Sequence, residues 1–83
     1  MKFELTQHAA RVLAEREIAV EWVERTLVEP ELRLPDPDDH AVERRFRRIP
    51  EFGGRVLRVA VKVTVEPERV LSVFFDRTMR GKL

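Results

Sequence analysis

The sequence predicts a small α+β domain: a short N-terminal strand, a two-helix hairpin, then a three-stranded antiparallel sheet with both helices on one face. Three observations predict it. Apolar residues recur at helical spacing between residues 7 and 29, the period changes to two between 41 and 76, and a proline-broken acidic stretch at 35–39 separates the two regimes. Helices first and strands afterwards, without alternation, argue against a parallel α/β sheet.

Lys2 to Leu5 reads as a short strand with Phe3 and Leu5 on one face. Thr6 is a good N-cap for a helix over Gln7 to Glu17. Taking His8 as the origin at 100° per residue, Val12, Ala9 and Leu13 fall on one arc and form its buried stripe, with Arg16 inside the same arc. An arginine there runs its stem along the core to solvent or meets an acid. Ile18 plugs the corner, and Val20 to Glu29 forms the second helix with Val20, Val23 and Leu27 inward, Trp22 packed over the hairpin and Pro30 just past the end. Pro35-Asp36-Pro37-Asp38-Asp39 is an open loop. Ala41 to Ile49 is a polar strand anchored by Val42, Phe46 and Ile49. Gly53-Gly54 turns the chain into Arg55 to Val65, where Leu57, Val59, Val61, Val63 and Val65 alternate with Arg58, Lys62 and Thr64. Glu66-Pro67-Glu68 is a turn, and Arg69 to Asp76 returns with Leu71, Val73 and Phe75 in phase. The domain spans 1–76, and 77–83 is a loose basic tail. In the expected core, Leu57, Val59, Val61, Val63, Leu71 and Val73 meet Val12, Leu13, Val23 and Leu27.

With 83 residues there is room for one core only. Charged residues make up 37% of the chain, well above the usual quarter, and are mostly Arg and Glu, which fits a thermophile or a high-GC genome. The absence of Cys excludes disulfides and thiolate metal sites, and no apolar run suits a signal segment or a membrane span, so a cytoplasmic protein without a membrane partner is expected. Charge is unevenly spread. Residues 1–28 carry four basic and five acidic groups, 29–43 one basic and six acidic, and 44–83 eleven basic and four acidic, for net charges of −1, −5 and +7. The last segment is basic enough to attract a polyanion.

The pattern Leu5-Thr6-x-His8-Ala9, then Glu15-Arg16-x-Ile18, then Val23, Leu27 and Glu29-Pro30 resembles the opening of a bacterial family designated domain of unknown function 4258. The later order also resembles it: an Arg-rich strand, a Val-rich strand, a turn, and a strand ending Val73-Phe74-Phe75. Two positions depart. Glu17 stands where the family usually has Gly in the turn, and Ala19 replaces the usual Ser or Thr cap of the second helix. The resemblance implies a RelE-like ribonuclease-toxin fold.

On that footing, His8 is the leading candidate: an imidazole there can act as general base on a ribose 2′-hydroxyl or as general acid to a leaving 5′-oxygen, or it can simply pack and bond a carbonyl. Arg44, Arg45, Arg47 and Arg48 flank Phe46, with Arg44 and Arg48 on its side and Arg45 and Arg47 on the other. They can hold RNA phosphates and stabilise a phosphorane, or keep an edge strand soluble. Arg58 and Lys62 extend that surface, with Arg77 beyond. The expected catalytic set is therefore His8, Arg58 and Arg44, and the expected phosphate-binding set is Arg45, Arg47, Arg48, Lys62 and Arg77. Asp36, Asp38, Asp39 and His40 read as solvated turn residues rather than a metal cage, and no cofactor motif is present. The only serine, Ser72, has no His-Asp set beside it, and there is no Tyr. Two functions follow: a metal-independent endoribonuclease of toxin type, or a descendant, with RNA and an antitoxin as partners; or a non-catalytic module that binds protein or nucleic acid through its basic sheet face.

Overall fold

Thr6 joins the first strand to the first helix and fastens both to the last strand. The computed structural model describes residues 2–83, in which Phe3–Leu5 forms β1 and Gln7–Arg16 forms α1. Thr6 accepts the Ala9 amide on its side-chain oxygen at 3.1 Å, capping α1. Its own amide donates to Val70 O at 3.1 Å and its hydroxyl to Leu71 O at 3.4 Å. Helix α1 ends at Glu17, which adopts a left-handed conformation with φ +54°, and the Ile18 amide closes the turn on Leu13 O at 3.0 Å. Helix α2, Val20–Val28, starts at Ala19 without a side-chain cap.

The sheet has five strands rather than three. Strands β2 (Leu32–Pro35), β3 (Val42–Ile49), β4 (Arg55–Lys62) and β5 (Glu68–Phe75) join β1 in the order β1-β5-β4-β3-β2. The pairs are antiparallel except β1 with β5, which is parallel, so the sheet is mixed. Strand β2 forms where the sequence suggested only the approach to a loop. Leu32 and Leu34 alternate beside Phe46 and Arg44, and the Glu31 amide opens the pairing through Phe46 O at 2.8 Å.

Directly opposed residues share a sheet face. Arg45, Val59 and Val73 are opposed in register, as are Arg47, Leu57 and Phe75, which defines the face under the helices. Leu57, Val59, Val61, Val70 and Val73 pack there with Ala9, Leu13, Ile18, Val23, Leu27 and Ile49, while Val12, Trp22 and Phe75 border them. The core differs from the expected one in three ways. A bulge between Ala60 and Val61 pairs Val61 with Val70, so Val70 is fully buried and Leu71 is displaced from the core. Strand β4 ends at Lys62, leaving Val63 38% exposed, and Val20 is 55% exposed on the outer side of α2. Trp22 reaches past the hairpin to Phe52 and Phe75, with ring centroids 5.8 and 6.2 Å away. After β5 the chain is ordered as a short 3-10 turn, Arg77–Met79, capped by the Asp76 carboxylate through the Thr78 amide at 2.9 Å. No helix is long and apolar enough to cross a membrane.

Candidate nucleic-acid interface

The acidic and basic segments of the sequence meet inside the fold. Because β2 pairs with β3, the carboxylates of residues 31–43 stand beside the arginines of 44–48. Glu31 accepts from the Arg48 side chain at 2.7 Å, and Asp36 accepts from Arg44 at 3.1 Å. Arg45 is only 4% exposed and lies on the helix-covered face. Its guanidinium makes a two-pronged bond to Glu68 at 3.0 Å on each prong, donates to Glu43 at 2.7 Å and reaches Leu27 O at 3.3 Å. Burial works against its charge, but the hydrogen bonds it donates to Glu68 and Glu43 outweigh that and raise its pKa. Arg45 thus pins the end of α2 to β3 and β5. Arg47, on the same face, donates to Glu29 O at 2.7 Å.

Arg44, Arg48, Arg58 and Lys62 lie on the open face, as the alternation requires. Arg58 approaches Asp76 at 3.4 Å and covers the Phe74 ring at 4.9 Å, while its Nε is buried with no partner. Burial pushes the Asp76 carboxyl up, but hydrogen bonds from Thr78 and Arg58 hold it below its ordinary value. Lys62 has no carboxylate partner among the described residues. In the 35–40 loop, Asp36 accepts the Asp38 amide and Asp39 the Ala41 amide, at 3.0 and 2.9 Å, so these carboxylates shape the turn. No group of three or more potential metal ligands gathers among the described residues.

His8 lies elsewhere. Thr6 fixes the start of α1 against β5, and His8 is the second residue of that helix. A groove of about 770 Å³ runs between α1 and the last part of β5 and continues onto the 3-10 turn. His8, Glu15 and Arg16 line it from α1, Ser72 to Phe75 from β5, Phe52 and Arg55 from the turn into β4, and Asp76, Arg77 and Arg80 from the end of the chain. His8 and Glu15 are seven residues apart and so share one side of the helix. Arg16, Arg55, Arg77 and Arg80 have no carboxylate within ion-pair distance among the described residues. Arg55 stacks on Phe52 at 4.8 Å, and Phe52 lies 4.8 Å from Phe75. Phe52 and Phe74 are each 41% exposed.

The groove therefore holds His8 and Arg77 from the sequence-derived set. It does not hold Arg44, Arg45, Arg47, Arg48 or Lys62, and Arg58 reaches its rim through Asp76 and the Phe74 ring. It adds Arg16, Arg55 and Arg80. The helical angle puts Arg16 within the buried stripe, with its stem running to solvent or meeting an acid; it is exposed in the last turn of α1 and lines the groove. Arg55 carried no local signal, since its position depends on how Gly53 and Gly54 turn the chain.

Such a groove, with cations lacking partners and half-exposed rings, can hold a phosphate chain and stack bases. Comparison with curated proteins and with solved structures returns no match. The family model described as Domain of unknown function (DUF4258) matches residues 5–75, which is most of the chain, and the chain therefore belongs to that family.

Proposed function

We propose that the groove between α1 and β5 binds single-stranded RNA and that His8 acts there as general acid or base in a RelE-like, metal-independent cleavage. One observation carries this reading: His8 lines the same groove as Arg16, Arg55, Arg77 and Arg80, none of which has a carboxylate within ion-pair distance among the described residues. The ribose 2′-hydroxyl gives up its proton and its oxygen attacks the adjacent phosphorus. The bond from phosphorus to the 5′-oxygen breaks, and that oxygen takes a proton. The products are a 2′,3′-cyclic phosphate and a 5′-hydroxyl. Arginines at the phosphate stabilise the added negative charge of the phosphorane, and Phe52 and Phe74 offer faces to flanking bases.

The experiment uses mixed-sequence RNA with and without EDTA. His8→Ala should lower the cleavage rate by about 10²–10⁴ with the melting temperature unchanged, which is the usual worth of a general acid or base. Replacing Arg16, Arg55 and Arg80 together by Gln should flatten the slope of log affinity against log salt by about two units, at about 0.7 per single-strand phosphate contact. Chelator-sensitive cleavage or full activity in His8→Ala would reject the mechanism. An unchanged salt slope would reject the groove.

A further inference from the structure

The groove beside His8 does not stop at the edge of the sheet. Its lining takes His8 and Phe75 from the helix-covered side, and Ser72 and Phe74 from the other side. It therefore bends round β5 onto the open face.

That face is divided in charge. On β3, Arg44 and Arg48 are matched to Asp36 and Glu31 from the β2 side. On β4 and β5 the cations are held loosely or not at all. Lys62 has no carboxylate partner among the described residues. Arg69, opposed to Lys62 in register, approaches Glu4 only at 3.7 Å and keeps 46% of its side chain exposed. Arg58 meets Asp76 at 3.4 Å, and its Nε is buried with no partner among the described residues.

The shape of the face follows from side-chain size. Ser72 and Ala60 are opposed between two larger pairs, Phe74 with Arg58 and Arg69 with Lys62. Small side chains between tall ones leave a hollow across β4 and β5. On one side stands the Phe74 ring, 41% exposed, with the Arg58 guanidinium 4.9 Å from its centre. On the other stand Lys62 and Arg69. Lys62 is four residues along β4 from Arg58, about 13 Å at 3.3 Å per residue, a span that takes more than one nucleotide.

We propose that this hollow is a second RNA subsite continuous with the groove, and that the substrate is an extended single strand reaching from His8 past Phe74 to Lys62 and Arg69. The proposal rests on the RNA reading of the groove. A base leaving the groove stacks against Phe74, the backbone crosses Ser72 and Ala60, and the next phosphates meet Lys62 and Arg69. Single strands suit this path because ring faces and cations hold them without a fixed helical shape. A duplex is too stiff to follow the corner at β5.

The test is fluorescence anisotropy of the intact protein with 2′-O-methyl oligouridylates of three and nine nucleotides, whose blocked hydroxyls prevent cleavage. The nonamer should bind more tightly than the trimer, and that gain should shrink about fivefold or more in Lys62→Gln with Arg69→Gln, at an unchanged melting temperature. The slope of log affinity against log salt for the nonamer should flatten by about 1.4 in the same variant, two contacts at about 0.7 each. In amide NMR spectra of the wild type, Ala60 and Lys62 should shift with the nonamer and not with the trimer. A wild-type gain and slope in the variant, or nonamer shifts confined to the groove, would overturn the second subsite and leave the RNA reading standing. Nonamer shifts on the open face with none at His8 would overturn the continuous path. Failure of both oligonucleotides to bind would overturn this proposal and the RNA reading together.

Discussion

Glu17 and Ala19 both sit at helix ends whose geometry asks for another residue. Glu17 holds φ +54°, a conformation in which a Cβ crowds the following carbonyl, and Gly carries no such penalty. Ala19 caps α2 but has no oxygen to offer the free amides of its first turn. Glu17→Gly should stabilise the domain by about 0.5–1 kcal/mol after allowing for the extra freedom Gly has when unfolded. Ala19→Ser should add about 0.5–1 kcal/mol. Urea denaturation of each single variant checks both, and a midpoint moving downward in either would contradict the corresponding account. The same scale shows why four neighbouring arginines cannot be treated as one surface. Arg45 is buried and donates four hydrogen bonds, while Arg48 is 55% exposed in a surface pair that contributes little.

The strands show where a period of two is reliable and where it slips. Val61 is fully buried near the end of β4, so Val61→Asp should unfold the domain, a bare carboxylate in the core costing several kcal/mol. Val63, one pleat further and 38% exposed, should accept Asp with a loss below about 1 kcal/mol. Circular dichroism melts of the two variants make the comparison, and a wild-type melt for Val61→Asp would refute the core. The sequence displayed β4, both helices and the hairpin turn plainly, because each has a strong period bounded by a cap, Pro or Gly. It hid β2, whose four residues show only one full alternation between Pro30 and Pro35, and it hid the bulge, because Val70 and Leu71 are both apolar and either can be read inward. The groove was half legible. His8 and Arg16 share one helix, but Arg55 and the Arg77–Arg80 pair come from two other stretches of chain that only the tertiary fold joins.

Across the whole molecule, the uneven charge of the sequence is largely settled internally. Glu31 is held low by its side-chain bond from Arg48, and Asp36 by the Asp38 amide together with Arg44. Burial raises Glu43, but bonds from Arg45 and Arg33 overcome it, and a bond from Arg25 brings Glu51 to about 2. All four are depressed in the folded state, so each contributes stability that is complete above the ordinary carboxylate range and is lost as pH falls through the lowered values. The melting temperature should therefore hold from neutrality to about pH 5 and fall steadily from about pH 4.5 toward 2. A melting temperature that stays level down to pH 2.5 would show that these pairs do not matter to folding. The groove cations Arg16, Arg55, Arg77 and Arg80 have no such partners among the described residues.

The pairing of β1 with β5 also carries a consequence for how the chain is made. Phe3 and Glu68 are neighbours in the sheet, and Thr6 anchors α1 to Val70 and Leu71. During synthesis the first strand and helix emerge early and wait, with their apolar sides uncovered, until the final strand has left the ribosome. Contacts so distant in sequence form slowly, because a long loop must close before any of them is rewarded. Until then the amphipathic α1 is free to stick elsewhere, and the arrival of β5 decides whether it finds its place.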